Sequence, residues 1–113
     1  MPSFSRGEVV LIRYPFSDLS GSKVRPRTVI SGAHESVDVI FVPLTSRISG
    51  LQSGEFQLSD YRGAGLNVAT AVKRGFHAVE ERFVLARVGR LSRIDSDELD
   101  RSIAYWLGLK LAT

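Results

Sequence analysis

The pattern that most constrains the fold is a series of short apolar runs broken by turn-forming residues, followed by one amphipathic helical segment. The first run, Glu8–Tyr14, is continuously β-branched and aliphatic, which is typical of a strand buried on both faces. Pro15 ends it, and a polar loop rich in glycine and serine follows. Further strands are predicted at residues 27–31, 37–44, 53–58, 71–73 and 87–91.

Helical periodicity dominates only near the C-terminal end of the chain. Asp95 is predicted as the N-cap, because Glu98 lies three residues later in the spacing of a capping box. One face of this helix then carries Leu99, Ile103, Trp106, Leu107 and Lys110. The segment is therefore expected to cover the sheet with that face.

Short strands followed by one terminal helix predict a mainly β protein with a C-terminal helix. We expect either a small SH3-like barrel or a strongly bent antiparallel sheet, closed by the helix. With 113 residues, the chain is expected to form one domain, 1–113. A sheet of this size buries modest area, so association into a dimer would help to stabilise it.

Reactive side chains are few. The absence of cysteine excludes disulfides, thiolate metal sites and cysteine nucleophiles. His34 and His77 are too few for a histidine-rich metal centre, so neither a metal nor a cofactor is expected. The sequence shows no apolar run of membrane-spanning length and no signal-peptide pattern, and a cytoplasmic protein is therefore expected.

The net charge of +3 is unevenly distributed along the chain. Residues 62–93 carry seven basic and two acidic side chains, and residues 1–34 carry five basic and two acidic ones. Of the 15 basic residues, 12 are arginine, whose planar fork of donors suits phosphate. This distribution is compatible with a nucleic-acid partner, while ordinary solvated charges are the alternative.

Five motifs occur in an order that resembles a known protein family. They are Gly7-Glu8-Val9-Val10; Lys23-x-Arg25-Pro26-x-x-Val29-Ile30-Ser31; Val42-Pro43-Leu44-Thr45-Ser46; Gly65-Leu66 with Thr70; and Val88-Gly89-Arg90-Leu91-Ser92. With these motifs, residues 6 to about 108 resemble the MazF/PemK/Kid family of toxins. The resemblance implies a Kid/CcdB-like fold, which agrees with the predicted strands and helix.

The same resemblance implies the toxin of a type II toxin–antitoxin system. Such a toxin would be a metal-independent endoribonuclease that cuts single-stranded RNA within short sequence motifs. Cleavage would use the ribose 2′-hydroxyl and leave a 2′,3′-cyclic phosphate and a 5′-hydroxyl. The implied partners are a second copy of the chain and a MazE-like or other antitoxin, with operator DNA contacted only through the antitoxin complex.

RNA transesterification needs donors for the phosphorane charge as well as a base and an acid. Arg25 is the candidate for phosphate binding, and Pro26 restricts the backbone beside it. Thr45 and Ser46 follow a predicted strand and offer hydroxyl donors. The family's essential arginine and its catalytic threonine map onto Arg25 and Thr45. Without the resemblance, these residues would be interpreted as a surface arginine and a turn.

The general base is left open by the sequence. Many relatives have an acidic-Gln-x-Arg stretch where this chain has Lys73-Arg74-Gly75-Phe76-His77, and the first loop lacks the family's Glu-Gln pair. His77 is one candidate, because an imidazole can act as a base or an acid, with a structural histidine as the alternative. Asp18 in the first loop is the other candidate, with an Asx-turn as the alternative.

Substrate contacts are predicted on both sides of these catalytic candidates. Lys73 and Arg74 are expected to line an RNA groove, and Phe16 with Tyr14 offers surfaces on which bases could stack, unless these rings belong to the core. The full predicted binding set is Lys23, Pro26, Asp18, Phe16, Lys73 and Arg74.

Two other functions stay open at this point. One is a diverged, catalytically weak module of the same fold that binds nucleic acid or an antitoxin, which the altered 73–77 stretch favours. The other is a CcdB-like topoisomerase poison, although the Arg-Pro and Thr-Ser pairs favour the ribonuclease.

Overall fold

A computed structural model describes residues 4–13, 24–32 and 38–110 of the chain. These segments form a mainly antiparallel sheet with one C-terminal helix, which confirms the predicted fold class. The elements are β1 (Glu8–Arg13), β2 (Val24–Val29), β3 (Asp38–Thr45), β4 (Phe56–Gln57), β5 (Ala71–Val72), β6 (His77–Glu80), a short 3₁₀ helix (Glu81–Phe83), β7 (Val84–Arg90) and α1 (Arg93–Leu107).

The strands pair in the order β4-β5-β3-β2-β1-β7, and β6 pairs with β3 beside this path. All pairings among the described strands are antiparallel. No pairing among the described strands joins β4 to β7, so the sheet stays open rather than closing into a barrel.

The long strand β3 pairs with two different strands along one of its edges. On one edge its partner is β6 as far as Phe41, and from Leu44 the partner on that edge is β5. Pro43 lies at this change of partner, where it has no N–H to donate to a neighbouring strand. The end of β3 therefore lies beside β5 rather than β6.

Strand β1 is buried on both faces, as its continuous apolar sequence predicts. Val9 belongs to a cluster that includes Leu99 and Ile103 of α1. Val10 and Ile12 belong to a second cluster on the other face, against which Phe4, Phe83 and Val84 pack. The sheet therefore separates two apolar cores, and β1 supplies residues to each.

Several strand predictions need correction. Strands β2 and β7 each begin three residues before the predicted start, at Val24 and Val84, so Arg25 and Pro26 lie within β2. Strand β4 spans only Phe56–Gln57 of the predicted 53–58. Strand β6 was not predicted, because Val79 is its single buried residue and the others are half-buried or exposed. Pairing with Asp38–Phe41 of β3, rather than apolar alternation, is what makes this segment a strand.

The helix begins earlier than predicted. Its N-cap is Ser92, whose hydroxyl accepts a hydrogen bond from the Asp95 backbone N–H at 3.1 Å. Asp95 is instead the third helical residue, and its carboxylate is 2% exposed. That carboxylate accepts hydrogen bonds from the backbone N–H groups of Ser59 and Asp60, at 2.9 to 3.2 Å. Asp95 thus ties the start of α1 to the segment after β4.

Loss of this tie is expected to destabilise the fold. Asp95→Ala would leave two backbone donors without their acceptor, and we expect a loss of about 2–3 kcal/mol in the free energy of unfolding. Asp97→Ala is the matched control, because Asp97 is an exposed aspartate on the same helix. Urea denaturation of the two variants measures the difference. Equal stabilities would contradict the role given to Asp95.

The apolar face of α1 is shorter than predicted. Leu99, Ile103 and Ala104 are buried, and Trp106 is half-buried with its indole N–H donating to the Ser53 carbonyl at 3.0 Å. Leu107 is 54% exposed, and Lys110 lies beyond the end of the helix. The helix stops at Gly108, which takes a φ of 70°. Within the described part of the chain, no helix has the length and apolar character needed to cross a membrane.

Candidate functional site

A groove of about 800 Å³ lies beside the start of β2 and the end of β3. Because these strands are antiparallel, the first residues of one lie next to the last residues of the other, and Arg27 pairs with Pro43. Continuing this register by two residues places Arg25 across from Thr45. The fold therefore brings the Arg-Pro and Thr-Ser motifs to one site, as Arg25, Pro26, Thr45 and Ser46 all line the groove.

Six of the side chains that line the groove are cationic or carry a hydroxyl group, and we call them the cationic wall. Arg25, Arg27 and Lys73 supply positive charge, and Thr45, Ser46 and Thr70 supply hydroxyl groups. None of the described lining residues is a carboxylate. Such a set of donors attracts a polyanion and can bind phosphate oxygens.

Local contacts orient two of these groups. The Thr45 hydroxyl oxygen accepts a hydrogen bond from the Arg47 backbone N–H at 3.0 Å, which leaves its own proton available for a ligand. Arg27 donates to the Pro26 carbonyl at 2.8 Å, and its guanidinium lies 5.9 Å from the Phe41 ring centroid. Arg25 is exposed. Arg25 is therefore the lining arginine best placed to turn towards a ligand.

Lys73 reaches the groove because the segment after β5 is held at both sides. Its backbone N–H donates to the Pro43 carbonyl at 3.0 Å. The next residue, Arg74, donates its N–H to the Glu55 carboxylate at 3.0 Å, and Gln52 donates to the other oxygen at 2.9 Å. The hydrogen bonds from Arg74 and Gln52, with a smaller contribution from the charge of Lys73, lower the pKa of Glu55.

This carboxylate makes stability depend on pH. Because its pKa is lower in the folded chain, Glu55 stabilises the fold above its unfolded-state pKa and loses that effect as pH falls through the folded-state value. Glu55→Gln removes the charge, so we expect it to be less stable than wild type at neutral pH and equal to it in acid. Denaturant titration at several pH values measures this. A stability difference that does not shrink in acid would contradict the interpretation.

The segment 65–68 forms a further, uncharged wall of the groove and packs against β7. A Cβ atom at Gly65 would overlap the Val88 carbonyl, and one at Gly89 would overlap the Ala64 carbonyl. Gly65 also has a φ of 88°. Gly65 and Gly89 therefore allow the backbones of this segment and β7 to approach closely. This packing gives a structural role to two glycines that occur in the sequence motifs.

Two predicted site residues are not among those that line the groove. His77 is half-buried on β6 and stacks on Phe41, with ring centroids 5.5 Å apart and planes inclined by 23°. It is not among the residues that line the groove, and neither is Arg74, which is exposed. Phe16, Asp18 and Lys23, as well as Tyr14, fall outside the described residues.

Sequence reasoning missed the role of several lining residues. Arg27 follows directly on the Arg-Pro pair, and that position was the one available signal. Leu66, Asn67 and Val68 line the groove because the segment docks on β7, a contact between distant parts of the chain. No local pattern indicates such a contact.

Comparison with known proteins gives a match over residues 5–107 to the family model described as PemK-like, MazF-like toxin of type II toxin–antitoxin system. A search of curated proteins found no match. Several solved structures share the fold at low sequence identity.

The first of these is an endoribonuclease in complex with its cognate antitoxin from a mycobacterial species. It is 15% identical with a TM-score of 0.76, over 97% of this chain and 100% of that one. The toxin MazF-mt6 of Mycobacterium tuberculosis is 17% identical with a TM-score of 0.71, over 92% and 99%. MazE-MazF from Deinococcus radiodurans is 18% identical with a TM-score of 0.75, over 95% and 98%.

Proposed function

This chain belongs to the PemK-like, MazF-like toxins of type II toxin–antitoxin systems, and we propose that it is a sequence-selective endoribonuclease acting on single-stranded RNA. The observation that carries the proposal is the meeting of Arg25 with Thr45 and Ser46 in one groove. Lys73 extends the positive charge of that groove along the path of a bound strand.

The proposed reaction is an internal transesterification. The ribose 2′-oxygen forms a bond to the neighbouring phosphorus while the bond from phosphorus to the 5′-oxygen breaks. The 2′-hydroxyl proton passes to a base, and the departing 5′-oxygen takes up a proton, so the products are a 2′,3′-cyclic phosphate and a 5′-hydroxyl. The reaction needs no metal in this proposal, because permanent charge and hydroxyl donors stabilise the phosphorane.

Arg25 has the central role in this scheme. Its guanidinium can bind two non-bridging oxygens at once and stays charged at every physiological pH. Thr45 and Ser46 donate hydroxyl protons to the same phosphate. Since β2 and β3 hold these groups, the donors are positioned before the substrate arrives.

The proton acceptor has two candidates, Asp18 and His77. The described groove lining contains neither a carboxylate nor an imidazole. His77 would therefore have to act from its position against Phe41, at the rim of the site. Asp18 precedes the strand that carries Arg25 by six residues in the sequence and falls outside the described residues.

The test is cleavage of a mixed-sequence RNA by purified protein in the presence of a chelator. We expect fragments that end at a short recurring motif, and growth arrest when the chain is induced without its partner. Intact RNA under these conditions would refute the enzymatic proposal.

A second candidate function is a module that binds RNA without cutting it. This function is favoured by the described groove lining, which contains no carboxylate or imidazole to accept the proton. It predicts an affinity that falls steeply with salt while the RNA stays intact. Measuring binding and integrity on the same RNA separates the two functions.

An antitoxin is proposed as protein partner and a second copy of the chain as dimer partner. The structures from Deinococcus radiodurans and the mycobacterial one contain an antitoxin beside the toxin. A groove with three lining cations suits an acidic segment of such a partner. Co-purification with the product of the neighbouring reading frame tests the pairing, and light scattering of the isolated chain tests the dimer.

A further inference from the structure

The uncharged wall formed by residues 65–68 carries one amide, that of Asn67. Among the described lining residues it is the only side chain that presents an adjacent hydrogen-bond donor and acceptor of fixed geometry. Asn67 is exposed, and none of the recorded contacts of the described residues engages its amide. The remaining polar groups of the lining are cations or hydroxyls.

The backbone that presents Asn67 is held on both sides. Before it, the Leu66 N–H donates to the Tyr61 carbonyl at 3.0 Å, and Gly65 rests on β7. After it, the Thr70 hydroxyl donates to the Val68 carbonyl at 2.8 Å. The backbone that carries Asn67 therefore loses little freedom when the residue binds a ligand, which favours discrimination between ligands.

The two walls match the two parts of a nucleotide. Phosphate oxygens are drawn to Arg25, Arg27 and Lys73, so the base of a bound nucleotide can extend towards the uncharged wall. There, Leu66 and the largely exposed Val68 flank the amide with apolar surface. Single-stranded RNA exposes the hydrogen-bonding edges of its bases, and an amide pairs with an edge that shows a donor beside an acceptor.

We propose that Asn67 determines specificity by hydrogen-bonding the edge of one base in the groove, and so sets one position of the cleavage motif. The inference rests on the proposed ribonuclease function. It assigns Asn67 no part in the chemical step, which belongs to Arg25, Thr45 and Ser46.

The test is sequencing of all cleavage ends from a mixed-sequence RNA treated with wild type, Asn67→Ala and Asn67→Asp. With alanine, we expect one motif position to lose its preference, and cleavage at the wild-type motif to fall by about tenfold to a hundredfold. Aspartate accepts two hydrogen bonds and donates none. We therefore expect it to shift that same position towards guanine, whose N1–H and N2–H₂ are adjacent donors.

Gln57→Ala is the matched control, because Gln57 is an exposed amide on β4 outside the groove lining. It should leave the motif and the rate unchanged. Since Asn67 is exposed, its variants should unfold at the wild-type denaturant concentration, which circular dichroism checks. An unchanged motif in both folded Asn67 variants would overturn the inference while the ribonuclease proposal stands. Absence of cleavage by wild type itself would refute both.

Discussion

Arg25→Ala is expected to slow RNA cleavage by about 10³-fold, because the variant loses the permanent charge that stabilises the phosphorane in the transition state. Arg25 lines the groove from a strand and is exposed, so its removal should leave the fold intact. Initial rates on a short RNA that contains the wild-type motif measure the effect.

Two further variants identify what Arg25 contributes. Arg25→Lys keeps the charge but not the bidentate fork, so we expect it to recover only part of the lost rate. Arg93→Ala removes an exposed arginine at the start of α1, outside the groove lining, and should cut RNA at the wild-type rate. Equal rates for Arg25→Ala and Arg93→Ala would remove Arg25 from the mechanism.

Gly89→Ala is expected to lower the free energy of unfolding by about 3 kcal/mol or more. A Cβ atom at Gly89 would overlap the Ala64 carbonyl and lie 2.9 Å from the Gly65 nitrogen. These are backbone atoms, so relief requires the 64–68 segment to move away from β7. The same movement would displace the wall that carries Asn67, and cleavage should lose both rate and selectivity. Denaturant unfolding and end sequencing of one preparation measure the two effects.

Gly32→Ala is the control for this substitution. Gly32 is exposed, and a Cβ atom placed there would meet nothing within 4 Å. The free energy of unfolding of Gly32→Ala should stay within about 0.5 kcal/mol of the wild-type value. A Gly89→Ala protein as stable as Gly32→Ala would show that the close approach to the 64–65 backbone is not needed.

Much of the sheet could be predicted from the sequence, because β1 and β3 are apolar over most of their length. Strand β1 is the clearest case, since a run buried on both faces has few alternatives in a small chain. Strand β6 could not be predicted, as its register on β3 depends on tertiary pairing rather than on alternation.

The start of α1 shows a second limit of sequence patterns. Ser92 and Asp95 are both good N-cap residues, and each has an acidic residue three positions later. The fold decides between them, because the Asp95 carboxylate is used by the backbone N–H groups of Ser59 and Asp60. A contact between residues so far apart in the chain leaves no local trace.

The candidate site, too, could be predicted only in part. Arg25, Thr45 and Ser46 could be predicted as site residues through the resemblance to a known family, and the pairing of β2 with β3 brings them to one groove. The wall that carries Asn67 could not be predicted, because it depends on the close approach of the 64–65 backbone to β7 at Gly65 and Gly89. His77 was expected near the site from its place in the chain, yet its ring stacks on Phe41.

Cleavage through the 2′-hydroxyl in this groove can be tested by the chemistry of the product ends. We predict fragments that carry a 2′,3′-cyclic phosphate and a 5′-hydroxyl, formed in the presence of a chelator. A substrate with 2′-deoxyribose at the cleaved position should stay intact. Products with a 5′-phosphate and a 3′-hydroxyl, or cleavage of the 2′-deoxy substrate, would contradict attack by the 2′-hydroxyl.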